Sequence, residues 1–223
     1  MKAFVVDLDS NKNQIMLKPS TRPFSNQAHQ VNEAAEKIHE LIKNAPYSND
    51  NIVLNRNEIK EAFFSPFKPQ LKTVQVFLSH SHANKNKALG VKDYLESKTE
   101  RKVFVDSLFW DYKDDVLNEL AKHDDISKIE DAFTLILRES LQDMIEKCPY
   151  FVFLQSKNSV SNQGLSRITY SAWIYEELKI AHSISESRPI PIMESTQVFH
   201  DISPFLKSFE TITLNELSQQ INS

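Results

Sequence analysis

Two glycines in 223 residues, Gly90 and Gly164, constrain this chain more than any other feature. Walker loops and dinucleotide fingerprints need several glycines at fixed spacing, because the backbone must bend sharply and approach a phosphate closely. Neither can be written here, so any nucleotide this protein handles is held by another geometry. The single cysteine, Cys148, excludes an intramolecular disulfide and a multi-cysteine metal site, and it fits a reducing compartment.

Between residues 73 and 223 strand-like and helix-like segments alternate. Thr73 to Ser79, Lys102 to Asp106, Phe151 to Leu154 and Phe209 to Thr213 read as short strands. Asn86 to Lys98, Phe133 to Lys147, the segment around Trp173 and Leu214 to Ile221 carry apolar residues three and four apart, the helical period. Arg188 to Met193, bounded by prolines, reads as an edge strand. Such alternation predicts an α/β domain with a parallel sheet and helices on both faces.

Residues 1–72 read differently. An apolar run, Ala3 to Leu8, precedes a helix signalled by Ser25 and Asn26, with Val31, Ala34, Ala35, Ile38, Leu41 and Ile42 on one face. A second helix is expected over Asn57 to Phe64, and Pro66 and Pro69 mark a boundary. The predicted division is therefore an N-terminal, mainly helical extension over 1–72 and a main domain over 73–223. A small partner-binding or DNA-binding module is the alternative for the extension; a helical extension packed on the main domain is preferred.

The formal net charge of −4 favours neither nucleic acid nor an anionic membrane surface as partner. Asp7 and Asp9 interrupt the first apolar run too early for a signal-peptide core. No apolar run approaches the roughly 18–20 residues a membrane helix needs. The expectation is a soluble cytoplasmic protein.

The segment Ser171 to Ala181 draws attention to chemistry. On a helix, positions i and i+4 share a face, so Trp173 and Glu177 sit one above the other. A carboxylate is thereby set beside an aromatic wall near the carboxyl end of a buried strand, where ligands of open α/β sheets bind. Glu176 points about 100° away and is the internal control for Glu177; on a surface helix either acid otherwise reads as part of a solvated face.

Four segments in order resemble Toll/interleukin-1 receptor (TIR) domains, particularly the bacterial NAD-cleaving type of anti-phage defence (Thoeris-like). Val76 to Lys85 resembles their opening strand and loop, and Lys102 to Asp106 their second strand with its closing acid. Leu141 to Cys148 followed by Tyr150 to Ser156 resembles their helix and third strand. Ser171, Trp173 and Glu177 match the place where TIR domains carry a serine, a tryptophan and a glutamate. The resemblance covers about 150 residues and leaves the first 72 outside it.

This resemblance implies a flavodoxin-like sheet. It also implies an enzyme that cleaves the nicotinamide–ribose bond of NAD to ADP-ribose, a cyclic isomer or a conjugate, with Glu177 essential. NAD is the substrate, and no cofactor or metal is implied. Self-assembly is implied, as is a separate effector protein activated by the nucleotide product.

Physical chemistry gives these residues roles. A carboxylate stabilises the positive charge that develops on ribose as nicotinamide leaves. Trp173 would limit solvation of that acid. Ser79, His80, Ser81 and His82, at the entry to a helix, would offer hydroxyls, N–H groups and imidazole donors to the diphosphate. Asp106 would orient the loop after the second strand. Cys148 reads as core rather than nucleophile, and no third ligand accompanies the two histidines toward a metal site.

Bland readings stand beside these: a surface acid, a packing tryptophan, solvent-facing histidines. Departures from the family pattern also stand out. After Asp106 a long acidic stretch opens with Leu108, Phe109, Trp110 and Tyr112, where a short loop is usual. That stretch is expected to form a lid, choose a nucleophile or mediate assembly, with Trp110 and Tyr112 stacking on an adenine or nicotinamide ring or meeting another subunit. Two rivals remain: a non-enzymatic TIR scaffold acting by homotypic assembly, and a nucleoside deoxyribosyltransferase-like enzyme.

Overall fold

The computed structural model describes residues 1–17, 28–45, 47–48, 51–64, 73–126, 130–163, 166–186 and 200–223. Five strands build an all-parallel sheet: β1 (Lys2–Asp7), β4 (Val74–His80), β5 (Lys102–Val105), β6 (Tyr150–Gln155) and β10 (Glu210–Thr211). The order across the sheet is β10-β1-β6-β4-β5. The intervening numbers belong to short antiparallel pieces. Strands β2 (Tyr47–Ser48) and β3 (Asn51–Ile52) form one pair, and β7 (Ser161–Gln163), β8 (Ser166–Thr169) and β9 (His200–Asp201) form a small sheet. The inner strands of the main sheet show no alternation of buried and exposed positions. Phe77 to His80 of β4 and Phe151 to Leu154 of β6 are buried continuously, as strands covered on both faces require.

Helices α4 (Lys85–Thr99), α7 (Ala172–Glu186) and α9 (Leu214–Asn222) pack in the same unit as the sheet, together with the short α1 (Asn11–Gln14) and α8 (Ser203–Ser208). The β4-to-β5 crossover runs one way along the sheet, and the β6-to-β10 crossover runs the other. Right-handed crossovers therefore put α4 and α7 on opposite faces. The fold is the α/β parallel sheet that the alternation predicts, and it is consistent with a flavodoxin-like arrangement.

One strand departs from expectation. Flavodoxin-like sheets run 2-1-3-4-5, and β5-β4-β6 reproduces the first three places when counting starts at β4. The fourth place is taken by β1, paired with β6 from Lys2↔Tyr150 to Asp7↔Gln155. Residues 2–7 are thus a central strand, and the predicted extension over 1–72 does not hold as a unit. The chain divides into a sheet unit (1–21, 74–107, 141–223) and a helical unit (22–73, 108–140). The break at 73/74 lies near the predicted boundary; the membership on either side does not follow the chain order. Pro66, Pro69, the Arg188 to Met193 segment and Gly164 lie outside the described residues.

Within the helical unit are α2 (Ala28–Lys43), α3 (Arg56–Phe64), the larger part of α5 (Asp106–Leu120) and the first part of α6 (Glu130–Lys147). Their core is aromatic. Phe63 meets Phe64 and Tyr112 edge-on at 5.1 Å and Phe133 at 6.0 Å between ring centres. Such edge-to-face pairs are the favoured ring geometry. The Tyr112 hydroxyl donates to the Phe63 carbonyl at 3.1 Å.

Scarcity of glycine is visible in the backbone. Helix α4 ends on Glu100 at φ 54°, the left-handed position that glycine usually fills. The last helix, α9, instead starts from a complete capping box. Thr213 accepts from the Glu216 N–H at 3.2 Å, and Glu216 accepts from the Thr213 N–H at 2.7 Å.

Candidate functional site at the carboxyl edge of the sheet

Successive side chains of a strand point to opposite faces. Strand β4 uses this at its carboxyl end. Phe77 stacks on Phe104 of β5 at 5.8 Å and on Phe151 of β6 at 5.7 Å, an aromatic row across three strands. Ser79, two residues on and on the same face, donates from its Oγ to Glu177 Oε2 of α7 at 2.5 Å. Neither Ser79 nor Glu177 has any exposed surface. Two of the predicted site residues, 98 positions apart, are therefore joined.

His80 points the other way, into a second cluster. Its Nδ1 donates to the Ser81 carbonyl at 2.6 Å, and its Nε2 lies 2.9 Å from Asp106 Oδ1 and 3.0 Å from Ser107 Oγ. The backbone N–H of Ser107 donates to Asp106 Oδ1 at 2.6 Å. Both ring nitrogens of His80 face oxygen atoms, Nδ1 that of the Ser81 carbonyl and Nε2 those of Asp106 and Ser107. This buried pair ties the end of β4 to the first residues of α5. Asp106 at the N-terminus of that helix also sits where the helix dipole favours an anion.

The β4 and β6 connections leave toward opposite edges of the sheet, which makes the gap between these strands a topological switch point. There the Asn84 amide donates to Ser156 Oγ, and the Asn158 amide donates to Asn84 Oδ1 at 3.1 Å. Ser156 Oγ also accepts from the Asn158 N–H at 3.1 Å. Asn84, Ser156 and Ser159 are buried. This polar clasp between two loops has no clear signal in the sequence, since short polar residues at strand ends are too common in loops to single out.

The remaining predicted residues are placed as follows. Ser81 is half-buried, and its carbonyl takes the bond from His80. His82 is exposed, in a 3₁₀ turn over His82–Asn84 that precedes α4. Trp173 is partly exposed at the second position of α7, one turn before Glu177. Trp110 lies on α5, in the helical unit; its side chain is outside the described residues.

Three expectations are corrected. Glu176 is not on a solvated face: it is 2 % exposed and lies 3.6 Å from Lys179 Nζ, itself 5 % exposed. The reason is that α7 is buried around most of its circumference, so a 100° turn still ends in the interior. The stretch after Asp106 is not an open loop, since α5 begins at Asp106 itself. Its Tyr112 is buried in the helical core rather than offered for stacking.

Burial pushes the Cys148 thiol up to about 12 and so removes the thiolate a nucleophile needs. Burial, with Glu176 nearby, also raises the Tyr175 hydroxyl. Among the described residues no group of His, Cys, Asp and Glu is placed to hold a metal ion, and no helix is long and apolar enough to cross a membrane. No protein-family model, no curated protein and no solved structure matches the chain.

Proposed function

We propose that this chain is a TIR-type enzyme cleaving the nicotinamide–ribose bond of NAD, with Glu177 as its essential carboxylate. The observation that carries the reading is the Ser79–Glu177 hydrogen bond at the carboxyl end of a central strand. A ribose hydroxyl donates to a carboxylate in the same way as Ser79 does. Substrate binding then exchanges the serine hydroxyl for a ribose hydroxyl.

As the C1′–N bond breaks, both electrons leave with nicotinamide, which departs neutral. C1′ becomes oxocarbenium-like, and Glu177 stabilises that charge in a site from which water has been removed. Water adding at C1′ and losing a proton gives ADP-ribose. A nucleophile within the same nucleotide gives a cyclic isomer, and an outside one gives a conjugate. Trp173 supplies the ring wall one turn away, while Ser81 and His82 face the diphosphate. His80 and Asp106 hold the strand end in place. The resemblance further supports a cytoplasmic, self-assembling protein of anti-phage defence whose product activates an effector.

A second reading, an assembly module without catalysis, is favoured by one specific observation: Glu177 has no exposed surface. One experiment separates the two. Purified protein at low and high concentration is incubated with NAD, following nicotinamide release and nucleotide mass, with a deoxynucleoside panel in parallel. The enzyme predicts release that Glu177→Gln lowers by about 10²–10³-fold or more, the usual loss of a transition-state charge partner. No release at either concentration, with self-association lost on Trp110→Ala, assigns the assembly module. Exchange of deoxynucleoside bases without NAD cleavage assigns the deoxyribosyltransferase class.

A further inference from the structure

The helical unit carries a groove that the chemistry above does not use. It runs between α2 and α3, encloses about 660 Å³ and opens to solvent. Both helices present one stripe to it: Glu36, Glu40 and Leu41 from α2, and Glu58, Glu61 and Ala62 from α3. Spacings of four from Glu36 to Glu40, and of three and four from Glu58 to Glu61 and Ala62, align these residues along the groove. Leu41 and Ala62 contribute its apolar floor, and the surface lining it is almost entirely carbon although four glutamates stand around it. Stems line the groove, and carboxylates stand at its rim.

This arrangement favours a cation from outside. Like charges four apart on a helix repel, as Glu36 and Glu40 do here, and Glu58 lines the same groove. The one base on the described lining, Lys37, is drawn to Glu33 at 2.6 Å. Lys43 lies 3.6 Å from Glu40, an exposed pair of small worth. The cavity lies within the roughly 300–1,000 Å³ of ligand pockets, large enough for several side chains.

We propose that the α2/α3 groove docks a basic amphipathic segment of a partner protein, its apolar side chains against Leu41 and Ala62 and its Lys and Arg residues against Glu36, Glu40 and Glu58. Helix-in-groove docking of this kind buries one apolar face and reads charge at the rim. A second copy of the chain is the poorer occupant, because its own net charge of −4 opposes the acidic rim.

The test uses the full chain and a labelled 15-residue peptide of Leu, Ala, Lys and Arg with leucines on one helical face. Its two controls are a scrambled peptide of identical composition and one with Glu in place of every Lys and Arg. Fluorescence anisotropy should show saturable binding of the first peptide, weaker binding of the scramble and none of the acidic peptide. Raising salt from 0.05 M to 0.3 M should weaken the complex several-fold by screening. Glu40→Lys with Glu58→Lys should weaken it by about tenfold or more. Leu41→Gln should weaken it with little change in salt dependence. Unchanged thermal midpoints would show that the variants remain folded.

No binding of the first peptide would overturn the proposal, as would equal binding of all three peptides or full affinity in the double variant. A concentration-dependent dimer that dissolves on Glu40→Lys with Glu58→Lys would assign the groove to a second copy, which also overturns it. None of these readouts depends on NAD turnover, so this inference and the enzymatic reading fail separately.

Discussion

The sheet unit buries charged side chains beside its rings, whereas among the described residues of the helical unit rings are buried and charged side chains are not. His80, Asp106, Glu176, Glu177 and Lys179 are all at most 5 % exposed, and all belong to the sheet unit. In the helical unit, among the described residues, the buried polar side chain is Ser140, which merely bonds the Ile136 carbonyl one turn back. Its core is Phe63, Phe64, Tyr112 and Phe133 instead, and glutamates stand outside around a groove. Stability alone is served well by rings, since buried ion pairs usually return no more than they cost in desolvation. Charges kept inside therefore mark where a fold does something besides holding together. In the sheet unit they cluster around the carboxyl ends of β4 and β5 and along α7.

Breaking one charge pair tests this contrast most severely. Lys179→Met removes the cation beside buried Glu176 and should lower unfolding free energy by about 3–5 kcal/mol. Phe63→Ala should cost a similar amount, about 3–5 kcal/mol, through the cavity it leaves. The two losses differ in their remedy. Glu176→Met combined with Lys179→Met should restore most of the first, because an apolar pair of like volume needs no compensation. No single partner substitution should restore the second. Urea titrations that find the double Met variant as unstable as Lys179→Met alone would refute the buried-charge account.

Hydroxyls give a smaller and sharper comparison. Ser79→Ala strips a fully buried carboxylate of a donor and should cost about 1–3 kcal/mol. Ser140→Ala removes only a back-bond within a helix and should stay within about 0.5 kcal/mol of the parent. Equal effects at the two serines would mean that Ser79 is an ordinary packing residue.

How much of this is legible in the sequence depends on how local each cause is. Strands β4, β5 and β6 and helices α4 and α9 fall within a residue or two of expectation, because short apolar runs and helical periods are read within one segment. Strand β1 reads as an apolar run, but its place at the centre does not show. Its partner in β6 lies some 150 positions away, and parallel pairing leaves no mark on either strand alone. Helix α5 is obscured by its acids, although Tyr112, Val116, Leu117 and Leu120 recur at helical spacing and are all buried. Ser79 and Glu177 each stand out in the sequence, yet only the structure brings them into contact. Glu176 departs from expectation because periodicity gives direction, while burial depends on what surrounds the helix.

Titration sharpens the contrast further. Burial holds the Cys148 thiol up to about 12, against an ordinary value of 9.0. A raised value means that its contribution to stability is fully present below pH 9.0 and is lost as pH climbs from there toward 12. Cys148→Ala should flatten this alkaline loss. At pH 8 the native protein should resist a thiol reagent that labels it promptly in urea. Prompt labelling of the folded chain would show that the helix end before β6 opens readily.

The smallest expected effect lies at the rim of the sheet. Asp9 accepts from the Lys157 backbone N–H at 2.9 Å and from Lys87 Nζ at 3.3 Å, and these hold its carboxyl below its usual 3.8, the backbone bond first. A lowered value gives stability that is present above pH 3.8 and lost as pH falls through the folded value. The side chain is one-third exposed, so solvent screens most of the gain, leaving a few tenths of a kcal/mol, about 0.2–0.5. Asp9→Asn should therefore lower stability near neutral pH by that amount and flatten the acid limb, leaving stability below the folded value unchanged. If it matched Ser79→Ala in effect, the clasp formed by Asp9 and Lys157 between the ends of β1 and β6 would rank with the buried charges, and exposure would not be what separates them.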